Sequence, residues 1–394
     1  MQPASTNPLP PAARARSLAA AISAMFVVNL VFFLSPPLMA VVLARHGADP
    51  AAIGINAAAM AAGTFLVAPF APAWMGRLGP ARVMRWSLLV SVAMLLVMPA
   101  WVDPWVWLVP RTILGAAGSL CWIASEAWIN ALAEETRRGR VMSFYAMAGY
   151  SGQALGPLTL LLAGSQGWLP FLVAAGLTLL GAGLVSLGGE LRPDLGGSGR
   201  PPILRSIVRA PLPMFAVLVQ AAAFQAYFSF FPAFGQSLDL PLETAFVLMT
   251  CTSLGGLLLQ YPMGWLSDRV NRVWLATAWL ALGATGAALL PWTTPLGLPA
   301  IPFFLFMGAM ISGTYALSLV LVGARFRGAD LAAAATAFTV VYNIGAMAGP
   351  FGAGLVIEAT GPGGLSIMMA VALAAVVPIG LWSLRKRIAA LYNP

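Results

Sequence analysis

Charge is what this chain most lacks. Only 8% of its 394 residues are Asp, Glu, Lys or Arg, where a soluble domain carries about 25%. A water-facing surface over that length is excluded, and lipid must be the solvent for most of the chain. Histidine occurs once, at His46 in a predicted loop. Enzyme sites inside a membrane need clustered His, Asp, Glu or Cys at depth, so no catalytic residue, metal or other cofactor is expected. Lysine also occurs once, at Lys386, and no glycine-rich phosphate loop ends in lysine; ATP-driven pumping by this chain alone is not expected. Cys121 and Cys251 both fall in apolar runs and read as small packing groups rather than a disulfide.

What is present is long and apolar. Hydrophobic residues make up 60% of the chain and mean hydropathy is +0.86. Runs of about twenty residues, enough to cross a bilayer core, occur twelve times: 18–44, 50–74, 83–102, 105–130, 141–164, 168–188, 211–236, 243–266, 273–291, 298–323, 332–358 and 364–384. The first is too long for a signal-peptide core and is expected to stay as a helix. With both termini on one side, 19 of the 21 basic residues collect on that side, leaving Arg45 opposite and Arg111 within a span. Basic loops stay cytoplasmic, so a multi-pass membrane protein is expected, with both tails inside. The net charge of +9 is then a topology signal and not a nucleic-acid surface. Gly196, Gly197, Ser198 and Gly199 lie in the one long internal loop, which reads as a flexible linker. The divisions are a tail (1–17), a six-helix bundle (18–188), a linker (189–210), a second bundle (211–384) and a tail (385–394).

The second half looks like a copy of the first. Gly152, Gly156 and Pro157 return as Gly345, Gly349 and Pro350, 193 residues on (345 − 152). Gly115 answers Gly308 at the same offset, and Arg77 answers Arg269 at 192. Asn29 stands seven residues before Pro36, as Gln225 does before Pro232. The expected architecture is an all-α membrane protein with twelve transmembrane helices in two six-helix pseudo-symmetric halves and a cavity between them.

The stretch Gly264-Trp265-Leu266-Ser267-Asp268-Arg269-Val270-Asn271-Arg272 resembles the loop signature of the major facilitator superfamily, Gly-x-x-x-Asp-Arg-x-Gly-Arg-Arg. Asn271 replaces the second glycine, and Asn also accepts left-handed backbone angles. The earlier copy keeps Arg77, Gly79 and a displaced Arg82, with Gly76 where the acid belongs. The resemblance implies that Asp268, Arg269 and Arg272, with Arg77 in the other copy, latch one half to the other; the alternative is a loop that only obeys topology.

Arg111 through Gly115 resembles that family's Arg-x-x-x-Gly element, which implies proton coupling. Arg111 lies about 10 Å inside its helix at 1.5 Å per residue and costs at least about 2.5–3.5 kcal/mol there, so it must face protein or a wet cavity. Arg111, Gly115, Gly118, Trp122 and Glu126 fall on one helix face. Glu126, the one acid deep in a span, has three readings: a latch for Arg77 or Arg82, a proton carrier, or an ordinary helix-end acid. Gly152, Gly156, Pro157, Gly345, Gly349 and Pro350 permit either close packing or a gating bend. Asn29, Gln225, Tyr227, Tyr315, Tyr342 and Asn343 are uncharged polar groups in apolar spans. The family's cavity is lined by the first, fourth, seventh and tenth helices, which makes Asn29, Arg111, Trp122, Gln225 and Tyr315 the candidate substrate residues.

Glu126-Ala127-Trp128-Ile129-Asn130, Arg138-Gly139-Arg140 and Tyr145, with Gly361-Pro362-Gly363-Gly364-Leu365, resemble the YcaD-like branch of the superfamily. The expected function is a secondary active transporter moving a small organic solute by alternating access, coupled to protons within a lipid bilayer. A passive channel or a non-transporting sensor on the same scaffold is the alternative. Walls of Trp, Tyr and Phe with few charges suit an amphipathic or weakly anionic compound.

Overall fold

The computed structural model describes residues 10–133, 138–188 and 203–385. Residues 1–9 and 386–394 of the expected tails and 189–202 of the expected linker lie outside it, and with them Arg192, Arg200, Lys386 and Arg387; so does Arg137. Every regular element among the described residues is helical. α1 (Pro11–Arg45) begins seven residues before the expected boundary. Proline is tolerated in a first helical turn, where its missing N–H would be unpaired anyway, and the Ala and Arg residues that follow are strong helix formers. α2 (Pro50–Val67) passes through a 3-10 turn at Ala68–Phe70 into α3 (Ala71–Leu78). There follow α4 (Pro80–Val97), α5 (Leu108–Leu132), α6 (Arg138–Ala163) and α7 (Leu169–Ser186).

The expected linker carries a short helix, α8 (Ile203–Arg209), tied to the helix after next-but-three by Arg209 Nη1 to Asp330 Oδ2 at 3.3 Å. Then come α9 (Pro211–Gln236), α10 (Leu242–Ser267), α11 (Arg272–Thr293), α12 (Ile301–Arg325) and α13 (Gly328–Thr360), which holds Asp330. The last expected span is broken into α14 (Gly364–Ala374) and α15 (Val377–Arg385), because Pro378 has no N–H for the Ala374 carbonyl. Eleven stretches among the described residues are long and apolar enough to cross a membrane. α6, at 26 residues, is long enough but its glycines, serines, tyrosines and arginines dilute its apolar content.

Glycines set how closely these helices approach, and the approaches recur along the chain. A Cβ on Gly152 would strike the Phe26 carbonyl, and one on Gly156 would sit 2.8 Å from the Leu30 carbonyl oxygen. In the C-terminal helices Gly345 meets the Leu218 carbonyl and Gly349 the Ala222 carbonyl. Gly115 crosses Met60 as Gly308 crosses Thr252, and Gly63 crosses Thr112 as Gly255 crosses Leu305. Each partner pair is displaced by 192 or 193 residues, as the glycines themselves are.

One local expectation is corrected. Gly79 does take a left-handed turn between α3 and α4, at φ 84°, but Asn271 at the matching place does not. It lies at φ −59°, ψ 116°, and its Oδ1 accepts from the Val273 and Trp274 amides at 3.0 Å each. Asparagine replaces glycine here because it caps α11 with its side chain. Asn271→Ala is expected to cost about 1 kcal/mol and Asn271→Gly only a few tenths, read as unfolding temperatures of the purified protein. A larger loss for glycine than for alanine would contradict the capping role.

Candidate functional site

The two sets of helices, α1–α7 and α9–α15, meet along α2–α13, α1–α9 and α6–α10. Their basic end carries Arg77, Arg82, Arg269, Arg272 and Arg325. At the far end the seam is shut backbone to backbone: a Cβ on Gly54 of α2 would strike the Pro350 carbonyl of α13, and one on Gly354 the Pro50 carbonyl. Phe33 of α1 packs edge-on against Phe224 and Phe228 of α9, with centroids 5.7 and 5.2 Å apart. Nearer the middle, Ala61 of α2 closes on Ala221 and Ala346.

Beyond that plug, towards the basic end, polar and aromatic groups from both sets face one another. Trp122 Nε1 donates to Glu126 Oε1 at 2.8 Å, one turn apart on α5. Tyr315 of α12 lies within electrostatic range of Glu126 and of Tyr150 on α6. Its ring stands edge-on to Phe338 and Tyr342 of α13, at 5.3 and 5.7 Å. Tyr150 meets the Gln260 side chain of α10. Tyr145 is pinned beside them, its hydroxyl 2.8 Å from Ser125 Oγ. Trp122 and Tyr315 nevertheless stay 40% and 36% exposed, so the two sets leave a gap at this depth.

The candidate residues therefore part company. Trp122, Glu126 and Tyr315 border the gap. Arg111 is enclosed, 1% exposed, and donates from Nε to the Asn56 carbonyl at 3.4 Å and from Nη1 to Ser35 Oγ at 3.3 Å. Asn56 in turn donates to the Pro104 carbonyl at 2.9 Å, so Arg111 braces α1, α2 and α5 from inside. Asn29 is buried at the α1–α6 crossing, beneath Gly149 and Gly152, and donates to the Met25 carbonyl at 3.0 Å. Gln225 is half-buried on α9. A cavity of about 40 Å³ among α1, α2, α4, α5 and α7, bordered by Phe32, Ser35, Met60, Leu88 and Cys121, holds a water or so.

At the basic end, Asp268 pairs with Arg272 of its own loop at 3.5 Å, and Arg269 lies 3.7 Å over the Trp265 ring. Arg77 is exposed, and no ion pair joins it to Glu126 among the described residues. A Cβ on Gly76 would meet nothing within 4 Å, so an acid there is absent for no steric reason. Reading the sequence singled out neither Tyr150 nor Gln260; the available signal was their polarity on otherwise apolar helices.

A bundle of membrane-length helices, shut at one end of an internal seam and parted at the other, defines a class of membrane protein that works between its halves. The Major Facilitator Superfamily profile matches residues 21–252 and 214–391, and the chain belongs to that superfamily. The chain is similar to the uncharacterized MFS-type transporter YfkF of Bacillus subtilis (strain 168), 23% identical over 249 residues. That match covers 60% of this chain and 62% of YfkF. Among solved structures it resembles the nucleoside transporter NupG, with a TM-score of 0.76 at 12% identity over 97% of this chain and 99% of that one. It also resembles a D-xylose-proton symporter, at 0.68 and 16% over 92% and 96%. A third is a bacterial homolog of the human lysosomal transporter Spinster, inward-facing and unoccupied, at 0.70 and 14% over 97% of both chains. At these identities the likeness is one of fold.

Proposed function

We propose that this protein is a secondary active transporter that moves a small organic solute by alternating access, coupled to protons, across a bacterial inner membrane. The observation that carries the reading is the seam: sealed by Gly54, Pro350 and Gly354 at the far end and parted around Trp122, Glu126 and Tyr315 towards the basic end. Rocking the two sets about that seam would expose the gap to one side and then the other. The fold shared with a D-xylose-proton symporter and a nucleoside transporter makes protons and a small organic solute the partners to test.

The finer reading has twelve crossings in two six-helix bundles, 18–188 and 211–384, with α6 counted as a crossing. The glycine crossings repeated at 192–193 residues support it. Both termini lie in the cytoplasm, on the side of the arginine-bearing loops, which makes this state open inward. Glu126, Trp122, Gln225 and Tyr315 act on substrate, Arg111 and Asn29 hold the bundle that carries them, and Asp268, Arg269, Arg272 and Arg77 gate the basic end. Gly152, Gly156 and Pro157, with Gly345, Gly349 and Pro350, let the helices slide at their crossings. Within the superfamily the YcaD-like branch is the proposed relation, on the Glu126–Asn130 stretch.

Proteoliposomes preloaded with candidate solutes test this. Saturable uptake that is accelerated by unlabelled solute inside, and driven by an imposed proton gradient, is the expected result. Flux that never saturates would mark a channel, and no flux for any solute a sensor.

A further inference from the structure

Glu126 is a carboxylate on a membrane helix, and among the described residues no cation is paired with it. Its Oε1 accepts from the Trp122 indole at 2.8 Å, which orients the group and leaves Oε2 for something else. Neither of the ion pairs between described side chains involves it; they are Arg209 with Asp330 and Arg272 with Asp268. Arg111, the other charge within α5, is 1% exposed and turned into the bundle, where its Nε and Nη1 donate to Asn56 and Ser35, so burial keeps it from an anion in the gap. Among the described residues the gap thus presents the Glu126 carboxylate amid aromatic rings: Trp122 on its own helix and Tyr315 across the seam, backed by Tyr342.

A half-desolvated carboxylate gains most from a paired cation, and aromatic faces attract cations through their ring quadrupoles. A hard metal ion would want six or more oxygen ligands, and beside one carboxylate stands an N–H donor. We infer that the gap binds an organic cation, a protonated or quaternary amine or its like carrying apolar groups, with Glu126 as its counter-ion and Trp122 and Tyr315 as its walls. This rests on the transporter reading, names its substrate class, and reverses the sign that composition suggested.

The test uses two ions of the same size and opposite charge, tetraphenylphosphonium and tetraphenylborate, bound to the purified full chain in nanodiscs. Saturable binding of the cation, at least tenfold weaker binding of the borate, and at least tenfold loss of cation binding in Glu126→Gln are expected. Glu126→Asp, which keeps the charge on a shorter arm, should stay within a few-fold of wild type and controls for misfolding. No cation binding, equal binding of both ions, or equal binding by wild type and Glu126→Gln would overturn the inference. Counterflow separates it from the reading beneath it. Exchange of neutral or anionic solutes without cation binding sinks the cation site alone; cation binding without exchange of any solute sinks the transporter reading alone.

Discussion

Gly308→Val is expected to leave little folded protein in the membrane, while Gly323→Val on the same helix is tolerated. A Cβ at 308 would land on the Thr252 backbone, carbonyl and Cα together, whereas one at 323 meets nothing within 4 Å. Backbone cannot rotate away as a side-chain tip can, so α10 and α12 would have to separate, at about 3 kcal/mol or more. The contacts that hold these helices together in lipid are the close ones that small residues permit, so separation removes their main cohesion. Gly115→Val should behave the same way against Met60 in the N-terminal helices. Thermal unfolding followed by fluorescence-detected size exclusion reads the difference; equal unfolding temperatures for the 308 and 323 variants would refute the packing argument.

Gly54→Leu should fold yet scarcely transport. Its Cβ would strike the Pro350 carbonyl and lie 3.2 Å from the Gly354 Cα, but these belong to the other set of helices. The cost of the added side chain falls only on the state in which the far end is shut. A penalty near 3 kcal/mol is a factor of more than 100 in that equilibrium, enough to hold the far end open and cut exchange at least tenfold. Normal yield and unfolding temperature with lost counterflow is the expected pattern. Loss of folded protein instead would show that the seam is part of a fixed core.

The contrast between these two glycines marks how far the sequence could be read. Helix lengths and the 192–193 offset were legible, because hydropathy and glycine spacing are local properties of the chain. Which glycine serves a crossing within one set and which serves the seam was not, since Gly54 and Gly354 are 300 residues apart and nothing near either one names its partner. The early start of α1 at Pro11 and the helix at Ile203–Arg209 carry no membrane-length apolar run: the first opens on alanines and arginines, and the second is seven residues long and broken by Arg205 and Arg209. At Asn271 the type of residue signals backbone tolerance, whereas its side chain caps α11. Arg111 and Glu126 share a helix face, yet one is sealed among Ser35 and Asn56 and the other is partly exposed, within electrostatic range of Tyr315. Depth along that face separates the enclosed Arg111 from the partly exposed Glu126.

Alternating access requires the two sets of helices to rock as opposed bodies. Spin labels can follow both ends once Cys121 and Cys251 are replaced by alanine. One pair, His46→Cys with Ala359→Cys, reports the far end; the other, Gly76→Cys with Gly264→Cys, reports the basic end, and all four positions are exposed. Measured by double electron–electron resonance in nanodiscs, introducing Gly54→Leu should lengthen the first distance and shorten the second. Distances that stay fixed, or that grow together, would contradict it.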